Sequence, residues 1–81
     1  MDPTQKALLA ETKKWLEKLE SKKLVPVKDS KEVKEQLENV QAYVSDCKHF
    51  LEKKDFVRAF EAVIYAWGIA ETLERMGLLR E

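Results

Sequence analysis

Asp46 and His49 stand three residues apart, about one helical turn, so their side chains would share one side of a helix. A carboxylate and an imidazole at that spacing form part of the ligand set of a di-iron bundle, which also needs carboxylates on facing helices. A symmetric dimer would double the pair into four ligands. A solvated helix face carrying one Asp and one His explains the same spacing without any metal. Cys47, the single cysteine, and His49, the single histidine, are too few for a zinc site, and one cysteine cannot close an internal disulfide. Between Val44 and Leu51 the thiol reads as a small buried hydrophobe rather than a nucleophile. There is no nucleophile–base pair, glycine-rich phosphate loop or metal-ligand cluster. The expectation is a protein that is not an enzyme and holds no metal and no cofactor.

Four polar positions remain as candidate ligand contacts: Tyr43, Asp46, Arg58 and Tyr65. On a helical grid Asp46 falls beside Tyr43 and Phe50, at the edge of an apolar side. Asp is a poor mid-helix residue because it competes for backbone hydrogen bonds. It is either solvated at that rim or accepts a hydrogen bond from a tyrosine, an arginine or a ligand. Arg58 and Tyr65 lie on the polar stripe of the following helix and would reach the same rim if the two helices pack that way.

The elements that must position these residues are three helices, at about 3–21, 30–53 and 56–76, joined by a connector at 22–29. Asp2-Pro3 supplies an N-cap and a first-turn proline. Leu8, Leu9, Trp15, Leu16 and Leu19 give the first helix its apolar face. Pro26 makes the Leu24–Val27 stretch extended. Asp29 with Glu32 has capping-box spacing, and Ser30 offers a competing cap. Val33, Leu37, Val40, Val44, Cys47 and Leu51 then form a seam with steps of three and four. Lys53-Lys54-Asp55 ends the second helix and caps the third, a connection short enough to force an antiparallel hairpin. Gly77 is placed to stop the third helix in a left-handed conformation, with Leu78 and Leu79 folding back. All 81 residues make one domain: an all-α, antiparallel three-helix bundle whose third helix is long and unusually apolar.

That third helix carries apolar residues over about two-thirds of its circumference. Only Arg58, Glu61, Tyr65, Gly68 and Thr72 line up as a polar stripe. Val57, Ile64 and Trp67 mark one flank of the apolar surface; Ala62, Ile69 and Leu73 mark the other. One flank packs within the bundle, and the other is expected to meet a second copy or another protein. The candidate interface is therefore Val57, Ile64, Trp67, Ile69 and Leu73. Gly68 in mid-helix costs ~1 kcal/mol relative to Ala, a cost accounted for if another helix or a ligand approaches there.

Composition narrows the function classes. Fifteen Lys and Arg balance fifteen Asp and Glu, without the basic stripe and high pI of a nucleic-acid binder. Glu61 and Gly68 interrupt the apolar stretch, so no segment is suited to span a membrane. With no leader pattern after Met1-Asp2-Pro3, a cytoplasmic protein is expected.

The stretch YVSDCKHFLEKKDFVRAFEAVIYAWG, residues 43–68, resembles the core pattern of the archaeal domain of unknown function 357 family. Tyr43, Asp46, Phe50-Leu51, Asp55, Ala59-Phe60, Tyr65-Ala66 and Gly77 carry the resemblance. It covers the second and third helices, and the first adds only a compatible leucine pattern. The resemblance implies a short helical archaeal protein of unassigned function, with related segments attached to nucleotidyltransferase-like domains. Tyr43, Asp46, Asp55 and Tyr65 are the polar positions it singles out, and Asp55 already has a structural explanation as an N-cap.

The functional expectation is a non-enzymatic helical interaction module, a homodimer or the docking partner of another protein. The alternative is an accessory nucleotide- or RNA-binding domain serving a nucleotidyltransferase-like enzyme, which would require Tyr43, Asp46, Arg58 and Tyr65 to converge on one pocket.

Overall fold

The computed structural model describes residues 1–80. Its three helices are α1 (Pro3–Glu20), α2 (Lys31–Glu52) and α3 (Phe56–Arg75). Each begins at a side-chain cap. The Asp2 carboxylate accepts from the Gln5 amide at 2.8 Å, and the Gln5 side chain reaches back to the Asp2 amide, with Pro3 opening the helix. Ser30, not Asp29, caps α2, its Oγ accepting from the Val33 amide at 3.3 Å. Asp29 is instead paired with Lys34. That ammonium, as hydrogen-bond donor and as charge, holds the Asp29 carboxyl below the ordinary carboxylate range. Asp55 caps α3 through the Arg58 amide.

Both ends of the α2–α3 hairpin close with the same device. At the end of α3 the Gly77 amide bonds to the Glu74 carbonyl and the Leu78 amide to the Leu73 carbonyl, with Gly77 at φ +70°. This is a Schellman cap, in which a left-handed residue satisfies two orphan carbonyls. At the end of α2 the Lys54 amide bonds to Leu51 and the Asp55 amide to Phe50, with Lys54 at φ 60°. Asp55 thus closes one helix with its amide and opens the next with its carboxylate.

α3 is the middle element. α2 runs antiparallel to it across the short turn. α1 lies on its other side, pointing the same way as α3, because Trp15 meets Trp67 and, further along both helices, Lys22 meets Glu74. An ion pair between Glu20 and Lys48 links α1 to α2. The α3 residues between these neighbours are small: Ala59, Val63, Ala66 and Ala70 are fully buried. Alanine lets the flanking helices approach closely, and Leu16, Leu19, Val40, Val44 and Cys47 fill the space around it. Much of the broad apolar surface of α3 is therefore consumed inside the chain, on two sides. Thr12 is buried as well, and its hydroxyl donates to the Leu8 carbonyl.

The connector between α1 and α2 is tied down by the C-terminal tail. The Val27 amide bonds to the Leu78 carbonyl at 2.9 Å and the Arg80 amide to the Val25 carbonyl at 2.7 Å. These bonds form a short antiparallel bridge at Pro26 and Leu79. Leu79 is buried with Val33 and Leu73 in a second apolar cluster at this end of the bundle. The result is an elongated molecule, 45 × 18 × 16 Å.

Candidate functional site

On the face of the α2–α3 hairpin away from the core, α3 keeps a ridge of exposed side chains, of which Tyr65 stacks on α2 through Tyr43. Val57, Ile64, Tyr65 and Met76 are exposed there, Ile64 at 42 % and Met76 at 66 %. Beside the ridge lies an open apolar groove of about 830 Å³. Its α3 wall includes Phe60, Ile64, Ile69 and Leu73, its α2 wall is Glu32, Val33 and Gln36, and Met76 and Leu78 close one end. Gly68 lies in this wall and also borders a smaller groove on the other side of the ridge, against Trp15 and Trp67. A Cβ placed on Gly68 would meet nothing within 4 Å. Intramolecular packing therefore does not require this glycine.

The expected interface residues divide between the inside and the outside of the bundle. Val57 and Ile64 face outward, Ile69 is half-buried in the groove wall, and Leu73 is buried at 6 % exposure. Ala62, the other marker of the Leu73 flank, is buried too. Trp67 is engaged by α1: its Nε1 donates to the Trp15 carbonyl at 2.8 Å and its ring stands edge-on to that of Trp15. Trp67 lies three residues beyond Ile64, about 60° further round the helix, which turns it from the outward course of Val57 and Ile64 toward α1.

Of the four candidate ligand positions, the structure brings two together. The Tyr43 and Tyr65 rings stack with centroids 5.5 Å apart. Arg58 is turned toward the hairpin, 3.6 Å from the Asp55 carboxylate and over the Phe50 ring. Asp46 is exposed and makes no side-chain hydrogen bond or ion pair among the described residues. Tyr65 lines the groove; Tyr43, Asp46 and Arg58 do not. His49 packs against Phe50, and among the described residues no three His, Cys, Asp or Glu side chains gather as a metal would need. Cys47 is fully buried, and desolvation, aided by the charge of Glu20, pushes its thiol pKa up to about 11. It is held as a neutral thiol, inert at ordinary pH.

The groove also draws on residues that the hydrophobic pattern of α3 does not announce, namely Val33, Gln36, Met76 and Leu78. Leu78 was legible through Gly77, since a Schellman cap normally brings the residue after the glycine against the one three before the cap, here Leu73.

A family model described as a protein of unknown function (DUF357) matches residues 9–79. The chain belongs to the DUF357 family. The match takes in most of α1, so the family pattern extends beyond the two helices that carry the resemblance in sequence. The crystal structure of the DUF357 protein AF1782 from Archaeoglobus fulgidus is similar over nearly its whole length. It is 39% identical and covers 96% of this chain and 97% of that chain, with a TM-score of 0.83. No curated protein matches the chain. Among the described residues of this DUF357 protein, no helix is long and apolar enough to cross a membrane.

Proposed function

We propose that this DUF357 protein is a non-enzymatic interaction module of the cytoplasm, docking another helix on the outward face of α3. The observation that carries this reading is the open apolar groove beside Ile64, Gly68 and Ile69, where a Cβ on Gly68 would meet no atom of the chain's own. Apolar helix faces bind amphipathic helices through anchors spaced at three and four residues, and exposed apolar patches with polar rims mark such sites. Here Glu32, Gln36, Glu61 and Thr72 form the polar border. The alternative role, an accessory nucleotide- or RNA-binding domain, gains no support from a Tyr43 and Tyr65 that stack on each other and an Arg58 that turns to Asp55.

A photo-crosslinking amino acid placed at Ile64, with a control at Lys13 on exposed α1, tests the docking face in the native host. A discrete crosslinked product from position 64 and none from position 13 is expected. Products from both positions alike, or from neither, would remove the basis for a docking face on α3.

A further inference from the structure

Resting on that docking reading, we infer that the occupant of the α3 face is the α3 of a second copy, laid antiparallel across a two-fold axis at Gly68. Three observations converge on this arrangement. The first is the run of the ridge: Glu61, Ile64, Gly68, Thr72 and Arg75 succeed one another at helical spacing along the exposed side of α3. Gly68 lies midway, and with no side chain there two backbones can approach closely.

The second is charge. Glu61 and Arg75 lie seven residues to either side of Gly68, so an antiparallel two-fold sets each Glu61 against the second copy's Arg75. A parallel pairing would set Glu61 against Glu61 and Arg75 against Arg75. Glu61 is exposed and makes no ion pair among the described residues. Arg75 is 82% exposed and makes one 3.3 Å contact, to Glu71, which leaves most of its five donors free. The third is the pair of hollows flanking the ridge, one apolar and one lined by Trp15 and Trp67 together with Glu71 and Arg75. Ile64, four residues from the axis, falls beside Thr72 and Gly68 of the second copy, at the border of those hollows. An isologous contact of this kind closes on itself and buries the ridge in both copies at once.

The charge pattern supplies the decisive experiment. Glu61→Arg gives a face with two positive ends, and Arg75→Glu a face with two negative ends. Each variant alone should self-associate about tenfold more weakly than the wild type, as expected when two exposed ion pairs become like-charge contacts. Mixed together, they should form a heterodimer near wild-type affinity, read by sedimentation equilibrium and native mass spectrometry. A second measurement uses Gly68→Cys in a Cys47→Ala background. Its thiols meet on the axis and should form an intermolecular disulfide under mild oxidation far faster than those of Glu61→Cys in the same background. Circular dichroism confirms that each variant is folded.

A wild-type chain that stays monomeric to about 1 mM, a concentration at which even weak self-association would register, overturns the inference. Self-association without complementation between the charge variants overturns it too. A monomer whose position 64 still crosslinks to a different protein in the host would leave the docking reading standing while removing the second copy as its occupant. A monomer with no position-specific crosslink would remove both.

Discussion

The Trp67 indole N–H donates to the main-chain carbonyl of Trp15 across the α1–α3 contact, at 2.8 Å, while the two rings stand edge to face 5.4 Å apart. Around them Lys18 lies over the Trp15 ring and Lys22 over the Trp67 ring, so cationic stems cover the outer side of an aromatic anchor. The contact joins positions 52 residues apart.

Trp67→Phe keeps a ring but loses the donor, and stability should fall by ~1 kcal/mol, the net worth of one such bond. Trp67→Ala also loses the packing and should cost ~3 kcal/mol. For a domain of this size each kcal/mol shifts Tm by roughly 4–8 °C, so thermal unfolding by circular dichroism separates the two. A wild-type Tm in Trp67→Ala would show that α1 is not anchored here.

The two left-handed residues predict effects of opposite sign. Gly77→Ala forces a Cβ into the left-handed region and should cost ~1 kcal/mol. Lys54→Gly relieves the same strain at the α2–α3 turn and should gain roughly 0.5 kcal/mol after the added chain entropy of the unfolded state. Urea midpoints compared at equal m-value check both. A destabilised Lys54→Gly would mean that the lysine side chain contributes more than its backbone conformation costs.

Cys47 gives a pH dependence. Its folded pKa of about 11 lies above the ordinary value of 9.0, so the neutral thiol stabilises the fold fully below pH 9.0 and that contribution is lost as pH rises toward about 11. Chemical denaturation of the wild type and Cys47→Ala should show the wild type losing stability faster across this window. Parallel curves would contradict a buried neutral thiol. In the native state at neutral pH the thiol should also resist alkylation until denaturant is added.

Leu79 pins the tail to the connector and is 6 % exposed. Leu79→Ala should cost ~2–3 kcal/mol, with the amides of Val27 and Arg80, whose bonds form the bridge, exchanging faster than those in the middle of α3. Unchanged protection of these amides would show that the bridge holds without the leucine.

Much of the fold was legible because local chemistry decides it. Asp2, Asp55 and Gly77 each act through neighbours three to five residues away, and such effects survive without knowledge of the tertiary structure. The choice between Asp29 and Ser30 was harder, since either can cap; Lys34 settles it by drawing Asp29 away. The broad apolar surface of α3 was visible but not its use. Two intramolecular neighbours absorb Ala62, Trp67 and Leu73, leaving Val57 and Ile64 outside, and only the placement of α1 decides which flank is which. The bridge between connector and tail carries no periodic signal. Tyr43 and Tyr65 stack on each other, whereas Asp55 and Phe50 claim Arg58 and Asp46 stays exposed on α2.

The 52-residue span between Trp15 and Trp67, repeated between Lys22 and Glu74, sets an order of assembly. α2 and α3 find each other across a turn, whereas the direct α1–α3 contacts need either a far longer loop or a hairpin already formed. The hairpin is then the early unit in refolding and α1 the late arrival, and on unfolding the sequence reverses. While α1 is still searching, its own α3 competes with that of every neighbouring chain at an effective concentration set by the intervening segment. Dilution during refolding therefore favours α1 closing on its own chain.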